Sequence, residues 1–190
     1  MQPYITVYAE ATPNPESIKF VFNDLIVNGG PYDFTGPETT EESPLATALF
    51  KFNFVKGVFI SQDFVTITKV PEAMWAELIP VLRAFLKEYM AEGSPVVLGK
   101  GPGSDEALYN DDDPEAVKKI KEILYNSVRP AIEMDGGAIE FRSFDEGVVT
   151  LALKGSCSGC PSSTVTLKSG IETLLKRMVP EVKEVVAEAV

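Results

Sequence analysis

Residues Val148-Val-Thr-Leu-Ala-Leu-Lys-Gly-Ser-Cys-Ser-Gly-Cys-Pro161 run from a strand, through a loop bearing two cysteines, into the start of a helix. Val148–Lys154 is an apolar run of strand length, and Gly155 breaks it. Pro161 suits the first turn of a helix, where a missing N–H leaves no carbonyl unpaired. That helix reads to about Met178 and is broken by Pro180, after which a short strand covers Val182–Val186. Upstream, Asp135-Gly136-Gly137 turns into a strand over Ala138–Phe144, and Asp145-Glu146-Gly147 turns again into Val148. The region opens with a helix that has Asp113 as its cap and Pro114 at its first position. Val117, Ile120, Ile123, Leu124 and Val128 lie along it at helical spacing. The predicted order is α-β-β-α-β.

The preceding region has a different order. Ile5–Tyr8 and Ile18–Phe22 alternate with period two around Thr12-Pro-Asn-Pro15, a strand–loop–strand signal. Ser43 and Pro44 read as N-cap and first residue of a short helix through Leu45, Ala48, Leu49 and Phe52. Gly57–Ser61 and Phe64–Thr68 form a hairpin across Gln62-Asp63. A longer helix from about Glu72 carries Met74, Trp75, Leu78, Leu82, Phe85 and Tyr89, with Pro80 inside it. Between the two regions, Gly99–Glu106 and Asn110–Pro114 gather glycine, proline and acid, and such a tract reads as a linker. The fold class is therefore α+β: two small domains, each an antiparallel or mixed sheet packed with helices. Their predicted bounds are residues 1–98 and 114–190, with a flexible linker over 99–113. About 75 residues is marginal for a self-sufficient core, so a dimer or a bound cluster would add stability to the second domain.

Composition narrows the function. The 190 residues are 45% hydrophobic and 24% charged, ordinary for a globular protein. A net charge of −11 speaks against nucleic acid and against anionic membrane surfaces as partners. No apolar run approaches the roughly 18–20 residues that span a bilayer. Residues 1–10 alternate like a strand and carry no leader pattern, so the expectation is a cytoplasmic protein with reduced cysteines.

Both cysteines of the chain, Cys157 and Cys160, stand in the one Cys-x-x-Cys, and histidine is absent. Such a pair serves as a redox dithiol or supplies two thiolates to a metal or an iron–sulfur cluster. Structural zinc and iron–sulfur sites usually take four Cys or His ligands, so a metal here is most simply shared by two subunits related by a two-fold axis. The unshared alternative is a half-filled, exchangeable site. Because Pro161 follows both cysteines, the sulfurs are expected at the positive end of the helix, which would lower thiol pKa. Between Glu146 and Glu172 there is no acidic residue, whereas Lys154 and Lys168 are present. Those two lysines are expected to moderate the charge of the site. Two blander readings stand alongside: buried free cysteine is often a small hydrophobe, and Asp111-Asp112-Asp113 is helix capping or solvated linker. Gly99–Gly103 lacks the Lys-Ser/Thr ending of a phosphate loop. Trp75 and the other aromatic residues at regular spacing read as core.

Met134-Asp-Gly-Gly-Ala-Ile-Glu-Phe141 together with Leu151–Ile171 resembles the NifU C-terminal domain, the iron–sulfur scaffold and carrier domain of the Nfu family. Thr12-Pro-Asn-Pro-Glu-Ser-Ile-Lys-Phe20 and Ser43-Pro-Leu-Ala46 resemble that family's N-terminal domain, so the likeness covers nearly the whole chain. The resemblance implies a carrier rather than an enzyme. It implies that Cys157 and Cys160 of two protomers ligate a bridging, labile [4Fe-4S] cluster in a homodimer, [2Fe-2S] being another form that four thiolates serve. The cargo would pass to apo iron–sulfur client proteins, with upstream assembly machinery as donor. The first domain has no Cys or His, and its expected role is to bind those proteins. Two other readings remain open at this point. A thiol–disulfide oxidoreductase would place its Cys-x-x-Cys at a helix start after a parallel strand, and a zinc-bridged interaction module fits the four-thiolate count equally well.

Overall fold

The computed structural model describes residues 5–99, 112–157 and 161–189. The chain divides into two compact units, Met1–Ser104 and Asp105–Val190. Most of the expected linker, residues 100–111, lies outside the described residues.

Among the described residues, the first unit is a five-stranded antiparallel sheet with two α-helices and a short 3-10 turn over Pro37–Thr39. Strands β1 (Val7–Ala11), β2 (Ser17–Phe22), β3 (Tyr32–Phe34), β4 (Val55–Ile60) and β5 (Phe64–Lys69) lie in the order β1-β2-β5-β4-β3. Alternation in β2 sends Ile18, Phe20 and Phe22 into the core, where they join Leu45 and Leu49 of α1 (Pro44–Leu49) and Leu78, Leu82 and Leu86 of α2 (Trp75–Ala91). The core closes with Phe52 edge-on to Phe85, ring centroids 5.3 Å apart.

Ser43 caps α1 as expected: its Oγ accepts from Ala46 N at 3.0 Å. The same hydroxyl donates to Val96 O at 2.7 Å, so one fully buried side chain both starts α1 and holds the segment that follows α2. The second helix starts later than expected. Met74 is its N-cap and is exposed, Trp75 is its first residue, and the helix continues through Pro80. Trp75 is held at that start, because its indole N–H donates to Pro15 O at 2.9 Å.

In the second unit, α3 (Glu115–Ile123), a π-helical turn over Leu124–Val128 and α4 (Arg129–Met134) precede a three-stranded sheet. The helical run that carries Val117–Val128 continues to Met134, with the π turn standing just before Pro130. Its ring blocks regular α hydrogen bonding, and the register lengthens just before it, where Arg129 N–H donates to Leu124 O. The expected caps also differ. Pro114, not Asp113, occupies the N-cap position, and Asp113 pairs with Lys121 Nζ at 2.5 Å.

Strands β6 (Gly137–Asp145) and β7 (Val148–Gly155) form the predicted hairpin across Glu146-Gly147, both at positive φ, the geometry that matches strand twist. Helix α5 (Pro161–Met178) crosses to β8 (Glu184–Ala189), which pairs parallel to β7. A bifurcated acceptor starts that pairing: Gly147 O takes Lys183 N–H at 2.7 Å and Glu184 N–H at 3.2 Å. Leu151, Leu153, Ile171, Leu175 and Val185 fill the core between this sheet and its helices.

Ser43→Ala removes the α1 cap and leaves Val96 O without its donor. It should destabilise the first unit by about 1–3 kcal/mol. Urea unfolding followed by Trp75, the only tryptophan of the chain, should shift to lower midpoint by that amount.

Candidate functional site

The strand β7 ends at Gly155, and the two residues after it are folded against the turn that follows α4. Asp135 closes α4, and Gly136, at φ 80°, takes the left-handed position common after a helix end. Its neighbour Gly137 starts β6 opposite Gly155. A Cβ at Gly137 would stand 2.8 Å from Cys157 Sγ and 2.6 Å from Lys154 O, closer than carbon can approach either atom. Glycine is therefore required here by the thiol itself and by the neighbouring strand. Ser156 fastens the same contact. Its N–H donates to Gly136 O at 3.3 Å and its hydroxyl donates to Asp135 O, while its Oγ lies 3.9 Å from Cys157 Sγ.

Cys157 is 6% exposed and belongs to the core of the second unit. Burial pushes its thiol above the ordinary cysteine range, the Ser156 hydroxyl partly opposes that, and the Asp135 carboxylate adds to it. This reverses the expectation of a thiol acidified by the helix start. Desolvation in the apolar core is the largest cause. Cys160 falls on residues 158–160, outside the described residues.

The acid-poor stretch of sequence is not an acid-free site in space. Asp135 arrives from the α4 turn. Lys154 Nζ pairs with Glu140 at 2.8 Å across the β6–β7 hairpin, and Lys168 Nζ lies 3.9 Å from Glu184 at the start of β8. Both lysines that the sequence set beside the thiols thus have carboxylate partners. The spacing of Asp135-Gly136-Gly137 signals a turn, and the fold places that turn against Cys157, with Ser156 donating to it and Gly137 facing the sulfur.

Among the described residues, no three His, Cys, Asp or Glu side chains gather to hold a metal ion. One chain accordingly offers Cys157 and, by sequence, Cys160, a donor set that completes a four-ligand site only when doubled. Among the same residues, no helix is long and apolar enough to cross a membrane.

Residues 7–93 match the family described as scaffold protein Nfu/NifU N terminal, and residues 120–186, which include both cysteines, match the NifU-like domain. The chain is 43% identical over 180 residues to the NFU1 iron-sulfur cluster scaffold homolog, mitochondrial, of Drosophila sechellia, covering 94% of this chain and 63% of that protein. The chain belongs to the Nfu family. A Drosophila virilis protein of the same name is 41% identical over 94% of this chain and 60% of its own length. This Nfu chain thus spans somewhat less than two thirds of the curated relatives it matches. A solution structure of a NifU-like protein from Saccharomyces cerevisiae, 24% identical, aligns with 49% of this chain and 84% of its own at a TM-score of 0.44, too partial a likeness to carry an argument.

The expectation of a cytoplasmic protein is corrected by these relatives, whose names place them in mitochondria. Residues 1–10 were the wrong signal for compartment, because Val7–Glu10 belong to β1 of the folded unit and report on the sheet.

In a Cys160→Ser background, the rate of Cys157 alkylation should rise with pH along a curve whose midpoint lies above that of an exposed cysteine. The sign follows from burial, which disfavours the thiolate. Iodoacetamide kinetics across pH 7–11 (about the working range for a thiol) checks this, and a midpoint below the ordinary value would contradict the buried geometry.

Proposed function

We propose that this Nfu chain carries an iron–sulfur cluster as cargo, held by Cys157 and Cys160 of two protomers and passed to apo-proteins without catalysis. The observation that carries the reading is the donor count. A chain with a NifU-like domain has two thiolates three residues apart, no histidine, and no other metal-holding cluster among its described residues. Two copies bring four thiolates, the usual complement for [4Fe-4S] and [2Fe-2S] alike, and [4Fe-4S] is the form we favour. A site made from two chains comes apart when they separate, which suits cargo that must be released.

The rival oxidoreductase reading needs a different discriminator from the one available in sequence. The β7–α5–β8 crossover is parallel, so the cysteine loop does follow a parallel strand. What supports the carrier over the oxidoreductase is the raised thiol of Cys157, since an attacking dithiol cysteine normally has a lowered pKa. Zinc in the same four-thiolate site is separated from iron by metal identity alone.

Anaerobic reconstitution with ferrous iron and sulfide should give iron and sulfide co-eluting with a dimer on size exclusion, and Cys157→Ser should abolish it. A colourless monomer, or a dimer holding only zinc, would overturn the carrier reading. We further propose that residues 1–98 form a docking domain joined to the carrier domain, 114–190, by the linker over 99–113. That first domain would recognise client or assembly-machinery proteins, because it has no thiol or imidazole to offer a cluster. Removing residues 1–98 should then slow delivery to an apo-protein while leaving cluster uptake intact; equal delivery rates would exclude that role.

A further inference from the structure

We propose that Ser156 is a positioning residue for Cys157, acting as a latch that holds the cysteine loop on the Asp135–Gly137 turn. Ser156 is 2% exposed, so its polar groups depend on partners within the protein. Both its donors go to that one turn, the hydroxyl to Asp135 O and the N–H to Gly136 O at 3.3 Å. The next residue is the thiol. Its sulfur rests against Gly137, where a Cβ would be only 2.8 Å away, and the side chain is 6% exposed. A side chain so closely confined takes its direction from the backbone before it, and Ser156 fixes that backbone at two points. The hydroxyl also lies 3.9 Å from Cys157 Sγ, so the latch and the thiol touch directly. The latch therefore sets how often Cys157 leaves the core, and with it how readily the sulfur is offered to a ligand. The geometry stands without any assumption about cargo; the consequence for an iron–sulfur cluster rests on the carrier reading above.

The test uses the full chain with Cys160→Ser, so that only Cys157 reacts, and follows modification by N-ethylmaleimide at one fixed pH without oxygen. Ser156→Ala should raise the rate about fivefold, the equivalent of one hydrogen bond. Ser156→Thr, which restores a hydroxyl, should return the rate towards that of the parent. Thermal unfolding measured alongside should move far less than the rate does. An unchanged rate in Ser156→Ala would overturn the proposal, as would an equal rise in the Thr variant.

Should the alanine variant fail to fold, amide hydrogen exchange in the unaltered chain decides. Protection of the Ser156 N–H beyond that of exposed loops supports the latch, and free exchange overturns it. With both cysteines present and the chain reconstituted, Ser156→Ala should also lose iron faster to a chelator. Failure of the parent chain to take up iron and sulfide would overturn the carrier reading alone, since the alkylation rates would still decide the role of Ser156.

Discussion

The contact between Cys157 Sγ and the backbone of Gly137 is the constraint on which the second unit depends. The sulfur occupies space that any side chain at residue 137 would fill. That closeness sets where β6 begins and pairs Gly137 with Gly155 at the open end of the hairpin. It also requires the chain leaving α4 to turn sharply, which Gly136 does in the left-handed conformation. The π turn before Pro130 belongs to the same arrangement, because it keeps the chain helical up to the turn at Asp135. The Cys157 thiol is thus also a packing element, and the domain's core and its candidate site share one side chain.

That sharing explains the electrostatics. A cysteine placed for reactivity in a dithiol enzyme is exposed to a helix start and stays partly ionised. Here desolvation keeps the thiol protonated, with Asp135 reinforcing it and Ser156 opposing it. Binding of a metal at this sulfur would require removal of that proton. Lys154 pairs with Glu140 and Lys168 with Glu184, the latter beside Val148 at the end of β7 away from Cys157, while Asp135 is the charged group that acts on the thiol.

The first unit owes its order to a different kind of residue. Ser43 serves two masters, capping α1 and holding Val96 O, and the Trp75 indole ties the start of α2 to Pro15. The cap at Ser43-Pro44 was legible because its signal is local: a hydroxyl before a proline, followed by apolar helical spacing. The start of α2 was not, because Met74 matches the apolar spacing yet remains exposed; tertiary contact at Trp75 decides where the helix begins. A packed helix can also absorb a proline, as it does at Pro130, by changing its hydrogen-bond register.

Sequence alone determined the α+β class, the strand–strand–helix–strand order around the cysteines, the count of two thiolates with no imidazole, and the family resemblance. Each of these is carried by neighbours in the chain or by simple counting. Tertiary structure decided that β8 lies parallel to β7, that Asp135 stands beside a stretch free of acid, and that Ser156 and Cys157 rest on the Asp135–Gly137 turn. Those facts join residues that are about twenty or more positions apart. Their proximity comes from burying one apolar core, a condition that no local spacing can express.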